Sequence, residues 1–337
     1  MSLADRIDDF QNRHPKTGFP LAVAYKFFDD QGGYLAALIT YYGFISLFPL
    51  LLVFTSVLGL VLEDNPELQE RIVDSALSQI PVIGDQLGQP GQLSGSTLAV
   101  VIGVVSAVYG ALGVSVAIQN AMNIVWTVPR NERPNPIQVR VKGALLLATV
   151  GLAIIGLTAL NGVSAAIDLG SDGRVLATVG TLLLYIAVFV FGFRFGTARD
   201  VSIRDVLPGA VGAAVGWQIL QTFGTVFIQR VIANSSATTG VFAVVLGLLA
   251  FLYIAAVMVV ICLECNAVRV DNLYPRSLLT PFTDNVTLTP GDEAAYSAQA
   301  RAQRTKGFQE IDVTFDTDRH HTQEQETGQH DTGRHRR

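Results

Sequence analysis

Charge is scarce in this sequence, and unevenly placed. Asp, Glu, Lys and Arg make up 15% of the 337 residues, against about 25% in an ordinary soluble chain. A soluble core of this size would intersperse its charges at helical or strand periods. Here they avoid whole stretches and gather between them. Half of the residues are apolar and the mean hydropathy is +0.41, so the chain reads as a membrane protein. Cysteine is almost missing: Cys262 and Cys265 share one apolar stretch, which excludes a disulfide framework and leaves packing as their role. Histidine is absent between His14 and His320, and no His–Glu–x–x–His motif occurs. A metal-dependent hydrolase needs clustered ligands, so no metal, no cofactor and no enzyme activity is expected. No GxxxxGK[ST] loop is found, which excludes ATP-driven transport of the P-loop kind. The N-terminal stretch lacks the apolar core and cleavage site of a signal peptide, so the first span is expected to act as its own insertion signal.

What the chain does have is long apolar runs. A helix needs about 20 apolar residues to cross a hydrocarbon core of about 30 Å. Six segments qualify, at about 34–62, 97–126, 143–167, 175–193, 209–228 and 241–268. The expected fold is therefore an all-α membrane protein with six transmembrane helices. Lys and Arg set its orientation. Arg6, Arg13, Lys16, Lys26, Arg130, Arg133, Arg140, Lys142, Arg194, Arg199, Arg204, Arg269 and Arg276 fall on one side, and Arg71, Arg174 and Arg230 on the other. Both termini are accordingly expected in the cytoplasm. The basic residues are explained by topology, so no nucleic acid is expected as a partner.

Three regions flank the spans. Residues 1–33 form a cytoplasmic arm with scattered apolar positions, read either as an interfacial helix or as a solvated arm. Within the acidic outer connection 63–96, NPELQERIVDSALSQIP predicts an extracytoplasmic amphipathic helix capped by Asn65 and ended by Pro81. It reads as a lid over the spans or as a gate. Residues 269–337 are polar and lack periodicity, and a disordered cytoplasmic tail is expected. Its histidines could bind metal loosely; a solvated tail is preferred.

Polar groups inside the spans need partners, because lipid supplies none. Gln119 and Asn123 share a face of the second span with Trp126, and Gln218 and Thr222 share one of the fifth. Two such stripes facing one another would make an aqueous cleft; they could equally be interhelical glue. Gly113 with Ala117 and Gly212 with Gly216 are spaced for close helix approach. Glu264 lies near the cytoplasmic end of the sixth span and is read as pairing with Arg269 or with the 194–204 loop rather than carrying protons. In the first span, YYGFISLFPLLL places Pro49 mid-helix. Proline there frees the Ile45 carbonyl and bends the helix; Ser46 can help satisfy the loosened backbone, and Tyr42 lies near the inner end. A static bend is the first reading and a hinge the second.

Four stretches together resemble the YihY/BrkB family of bacterial inner-membrane proteins: LITYYGFISLFPLLLVF, SAVYGALGVSVAIQNAMNIVW, RDVLPGAVGAAVGWQILQTFGTVFI and VFAVVLGLLAFLYIAAVMVVICLECNAV. The resemblance covers about 20–270. Its closing small-residue–Glu–Leu/Cys–Asn pattern is matched by LECNA, which places Glu264 and Asn266 at family positions. The resemblance implies six spans in the inner membrane, with one branch associated with serum resistance. An older label, ribonuclease BN, follows many members, and the missing histidines argue against carrying it over. The function expected is transport or flipping of an amphipathic, lipid-like envelope component. The alternative is a non-transporting scaffold for envelope assembly. Membrane lipid, envelope-assembly proteins and a second copy of the chain are the partners considered.

Overall fold

The computed structural model describes residues 8, 10–61, 67, 97–166, 170–227, 237–278, 280 and 286–315. Among them the regular secondary structure is helical. After a short 3-10 turn at Pro15–Gly18 come α1 (Phe19–Asp29), α2 (Gly32–Val61), α3 (Thr97–Val125), α4 (Pro136–Ala166), α5 (Gly170–Gly196), α6 (Ile203–Phe227), α7 (Ala237–Val270) and α8 (Pro290–Ala302).

The helices α2 to α7 fall on the six apolar segments, but several run past the expected limits. At α4 and α6, caps rather than hydropathy decide where the helix begins. At α4 the side-chain oxygen of Asn135 accepts the Gln138 N–H at 2.8 Å, so the helix opens at Pro136 instead of 143. At α6 the Asp205 carboxylate accepts from the Ser202 N–H and hydroxyl at 2.8 and 2.7 Å. That cap starts the helix at Ile203 and places Pro208 inside it. Helix α7 ends against Asn272, whose φ of 52° is the left-handed conformation common just past a helix end. Among the described residues, Pro136–Leu157, Thr178–Gly196 and Val245–Val270 are long and apolar enough to cross a membrane, and Gly32–Leu47 is a shorter apolar helix. The amphipathic helix expected near 65–80 lies outside the described residues, apart from the helical, exposed Glu67.

The chain divides into two compact units. The larger holds 31–126 and 134–266, and so most of α2 to α7. Its helices pack in sequence: α2 on α3, α3 on α4, α4 on α5, and α5 on α6. Trp217 of α6 belongs to two apolar clusters there. One gathers Leu248 and Phe251 of α7 with Phe44 and Leu47 of α2. The other gathers Leu157, Tyr185 and Ala214 from α4, α5 and α6.

The smaller unit holds 1–30, 127–133 and 267–337. Its described part corrects the expectation of a disordered tail beyond 269. Thr289 and Asp292 form a reciprocal capping box, Pro290 opens the first turn, and α8 follows. Low hydropathy concealed this segment, since its order comes from caps and ion pairs rather than from an apolar stripe. Residues 316–337, with the tail histidines, lie outside the described residues.

Candidate functional site

In the larger unit the second-span stripe is used for helix contacts. Gln119 is 1% exposed, and its Nε2 donates to Ser115 Oγ at 3.2 Å and to the Val139 carbonyl of α4 at 2.8 Å. Asn123 is buried one turn on, where its Oδ1 accepts the Ala198 N–H at 2.8 Å, just beyond the end of α5. The next residue on this face, Trp126, is buried under the Arg199 guanidinium, 5.0 Å from its ring centroid. Gln119 and Asn123 therefore tie α3 to α4 and to the α5–α6 loop. Gln119 Oε1 and Trp126 Nε1 are buried without a hydrogen bond among the described residues, where each costs about 1–3 kcal/mol.

The fifth-span stripe does not join them. Gln218 and Thr222 of α6 are exposed, and the Thr222 hydroxyl donates to the Gln218 carbonyl of its own helix at 3.0 Å. The expected cleft between the two stripes is not formed by these four side chains: the first pair is spent on interhelical contacts, the second faces outward.

Close approach explains the small residues. A Cβ on Gly110 would lie 2.6 Å from Ser46 Cβ, and one on Gly113 would collide with the Tyr42 ring. Only glycine lets α2 and α3 meet there. Ser46 is buried and donates to the Gly43 carbonyl at 3.1 Å, not to Ile45. Helix α2 runs without a break through Pro49, and the side chains from 48 to 61 lie outside the described residues. On α6, Gly216 makes room for Met258 and Gly209 for Asn266.

Asn266 is fully buried and grips the backbone of α6 on both sides of Pro208. Its Oδ1 accepts the Gly209 N–H at 2.8 Å, and its Nδ2 donates to the Val206 carbonyl at 3.1 Å. A side chain carrying both donor and acceptor is required, and a Cβ at 209 would collide with it. Glu264 is fully buried on the same helix. Cys262 and Cys265 are free and half-buried, with Cys262 Sγ against the position of Gly212.

The smaller unit carries a cluster that sequence reasoning missed. Arg276 is 1% exposed; its Nε donates to Asp292 Oδ1 and its Nη2 to Asp29 Oδ2 at 3.1 Å. Its guanidinium also lies over the rings of Tyr25 and Tyr296, at 6.0 and 5.1 Å. Burial works against its charge, but the hydrogen bond to Asp292 and the charges of Asp29 and Asp292 hold its pKa above the ordinary value. Burial, then Asp8, pushes the Tyr25 phenol up; burial, then Asp29, does so for Tyr296. Asp8 accepts from the Ser277 hydroxyl and the Leu278 N–H at 3.2 and 2.9 Å, so arm and tail are bound together. The readable signal was Thr289–Pro–Gly–Asp292, a capping-box spacing inside a stretch without an apolar run. Among the described residues, no three His, Cys, Asp or Glu side chains come together as a metal site.

Apolar helices of crossing length, with polar side chains spent on helix contacts, define an integral membrane helical protein. The chain belongs to the BrkB (YihY) family: it matches the family described as Virulence factor BrkB over residues 23–282. It is 26% identical over 255 residues to YfkH of Bacillus subtilis, named as ribonuclease-like, covering 70% of this chain and 90% of that protein. It is 24% identical over 276 residues to the inner membrane protein YhjD of Escherichia coli, covering 74% and 80%. A membrane protein of Nitrosospira multiformis is 25% identical over 254 residues, covering 71% of this chain and 58% of that one. No solved structure gives a significant match.

Proposed function

We propose that this protein crosses the bacterial plasma membrane six times, with both termini in the cytoplasm, and moves an amphipathic, lipid-like envelope component without an ATPase or a catalytic centre of its own. The six crossings are supported by helices of 25 to 34 residues at all six apolar segments. At about 1.5 Å per residue each exceeds the hydrocarbon thickness. The orientation is supported by the one-sided placement of Lys and Arg.

The observation that carries the transport reading is Gln218. It lies 15 residues into α6, among the exposed Val215, Ile219 and Phe223, and its side-chain amide has no hydrogen-bond partner among the described residues. An amide left bare in hydrocarbon costs about 4–8 kcal/mol. Its exposure makes sense where water or a polar headgroup passes. The test is transbilayer movement of labelled phospholipids in proteoliposomes. Acceleration by the wild type and its loss in Gln218→Leu support the reading; liposomes no faster than protein-free ones overturn it.

One observation favours the scaffold. Phe308 and Phe28 of the smaller unit are 89% and 72% exposed, two apolar rings that a partner protein would cover. Co-purification of a defined envelope-assembly protein that is lost in Phe308→Ser, together with unaccelerated lipid movement, would select that reading. The ribonuclease-like name belongs to a relative; RNA incubated with purified protein is expected to stay intact with and without divalent metal.

A further inference from the structure

The geometry points to a site for the phosphate of one anionic phospholipid where the start of α4 meets the end of α5, centred on Lys142 with Arg194, the neighbour of Phe195, beside it. The inference rests on the chain being embedded in a bilayer, not on its moving lipid. Arg140 and Lys142 lie on the second turn of α4, and Arg194 lies on the last turn of α5. None of the three has a carboxylate in ion-pair contact among the described residues. Three cations of the smaller unit are matched by carboxylates: Lys26 by Asp30, Arg276 by Asp29 and Asp292, Arg304 by Glu132.

Lys142 is also held in place. Its ammonium lies 5.4 Å from the Phe195 ring centroid, which brings the start of α4 against the end of α5. Phe195 in turn stacks on Phe191, with centroids 5.1 Å apart and planes at 15°. Phe191, and Val141 and Leu145 on α4, are exposed. The site thus offers unneutralised positive charge beside Val141, and Leu145 and Phe191 form an apolar, aromatic strip one turn deeper. That order matches a phospholipid, phosphate first and acyl chain below. It does not match free phosphate, which has no use for the strip. Choline or ethanolamine headgroups bring a cation of their own toward three unpaired ones, so the site favours a net negative lipid.

The experiment uses the full chain, purified and released from mixed micelles holding equal amounts of phosphatidylglycerol and phosphatidylcholine with the same acyl chains. Native mass spectrometry counts the retained lipids. The wild type should retain phosphatidylglycerol over phosphatidylcholine by roughly tenfold, and Lys142→Gln with Arg194→Gln should bring the ratio near one. Lys142→Arg, which keeps the charge over the ring, should keep the preference, as should Arg301→Gln, an exposed cation of the smaller unit. Equal retention by the wild type overturns the site. So does an equal loss in Arg301→Gln, which would mean diffuse attraction, or in Lys142→Arg, which would mean disturbed packing. Millimolar inorganic phosphate should not displace the lipid; displacement would make this an anion site and overturn the lipid. Binding without transbilayer movement refutes the transport reading and leaves the site, whereas movement without this preference refutes the site alone.

Discussion

Replacing Asp292 by Ala is the sharpest test of how the arm and the tail hold together. Its carboxylate is fully buried and accepts from Arg276 Nε and from the N–H groups of Ser277 and Thr289, the latter two at 3.0 Å. The substitution leaves the Arg276 charge buried with Asp29 as its remaining carboxylate partner. Breaking one side of a buried pair costs about 3–5 kcal/mol. Each orphaned N–H would add about 1–3 kcal/mol if independent. They share one pocket with the pair, so the sum is not reached, and about 4–5 kcal/mol is expected. That rivals the whole stability of a small domain, about 5–15 kcal/mol, so the unit should open locally. Hydrogen exchange on the full chain in detergent would then show faster exchange in α1, in 276–280 and in α8, while α3 to α5 stay protected. Glu293→Ala, at an exposed neighbour, should change nothing. Joint replacement, Arg276→Met with Asp292→Leu, should recover the charge part of the loss. Unchanged protection of α1 and α8 in Asp292→Ala would refute the latch.

Four further outcomes are expected. Asn266→Leu leaves the Gly209 N–H and the Val206 carbonyl without the partners seen here, and should destabilise the folded chain by about 2–4 kcal/mol, read as a lower thermal midpoint with insertion intact. Gly113→Val drives a side chain into the Tyr42 ring and should cost about 1–3 kcal/mol, whereas the same change at Gly151, which has open space around it, should be far milder. Both tyrosines over Arg276 have raised pKa values, so the folded state keeps their protons while the unfolded chain loses them; their contribution is complete below 10.0, the ordinary value, and is lost as pH rises through the folded value. Alkaline titration of α8 exchange should accordingly show a weaker pH dependence in Tyr25→Phe. Pro49→Ala should leave insertion and folding unchanged; altered lipid movement would mark a hinge, and unaltered movement a static bend.

Much of the architecture was legible in one dimension. Apolar runs too long for a soluble core can be satisfied only by helices that close their own hydrogen bonds, so the six segments at 34–62 through 241–268 already located α2 to α7. Small residues four apart announced close packing, and LECNA placed Glu264 and Asn266 at family positions near the end of the sixth span. The helix starts were less legible, because Asn135 and Ser202 with Asp205 act through local hydrogen bonds that hydropathy does not register.

The candidate site divides along the same line. Sequence spacing put Gln119 with Asn123 and Gln218 with Thr222, since a period of 3.6 fixes which residues share a face. It could not say which face meets another helix, because that depends on packing between segments far apart in the chain. Only the tertiary structure buried the first pair against α4 and the α5–α6 loop and turned the second outward. The same limit hid Arg276, whose carboxylates come from positions 29 and 292. The sequence determined by itself that the chain is a helical membrane protein, because the solvent dictates that from composition and run length. Which polar groups hold the bundle together, which stay exposed, and how a polar arm and tail become one folded unit were decided by contacts between distant residues, and those exist only once the chain has folded.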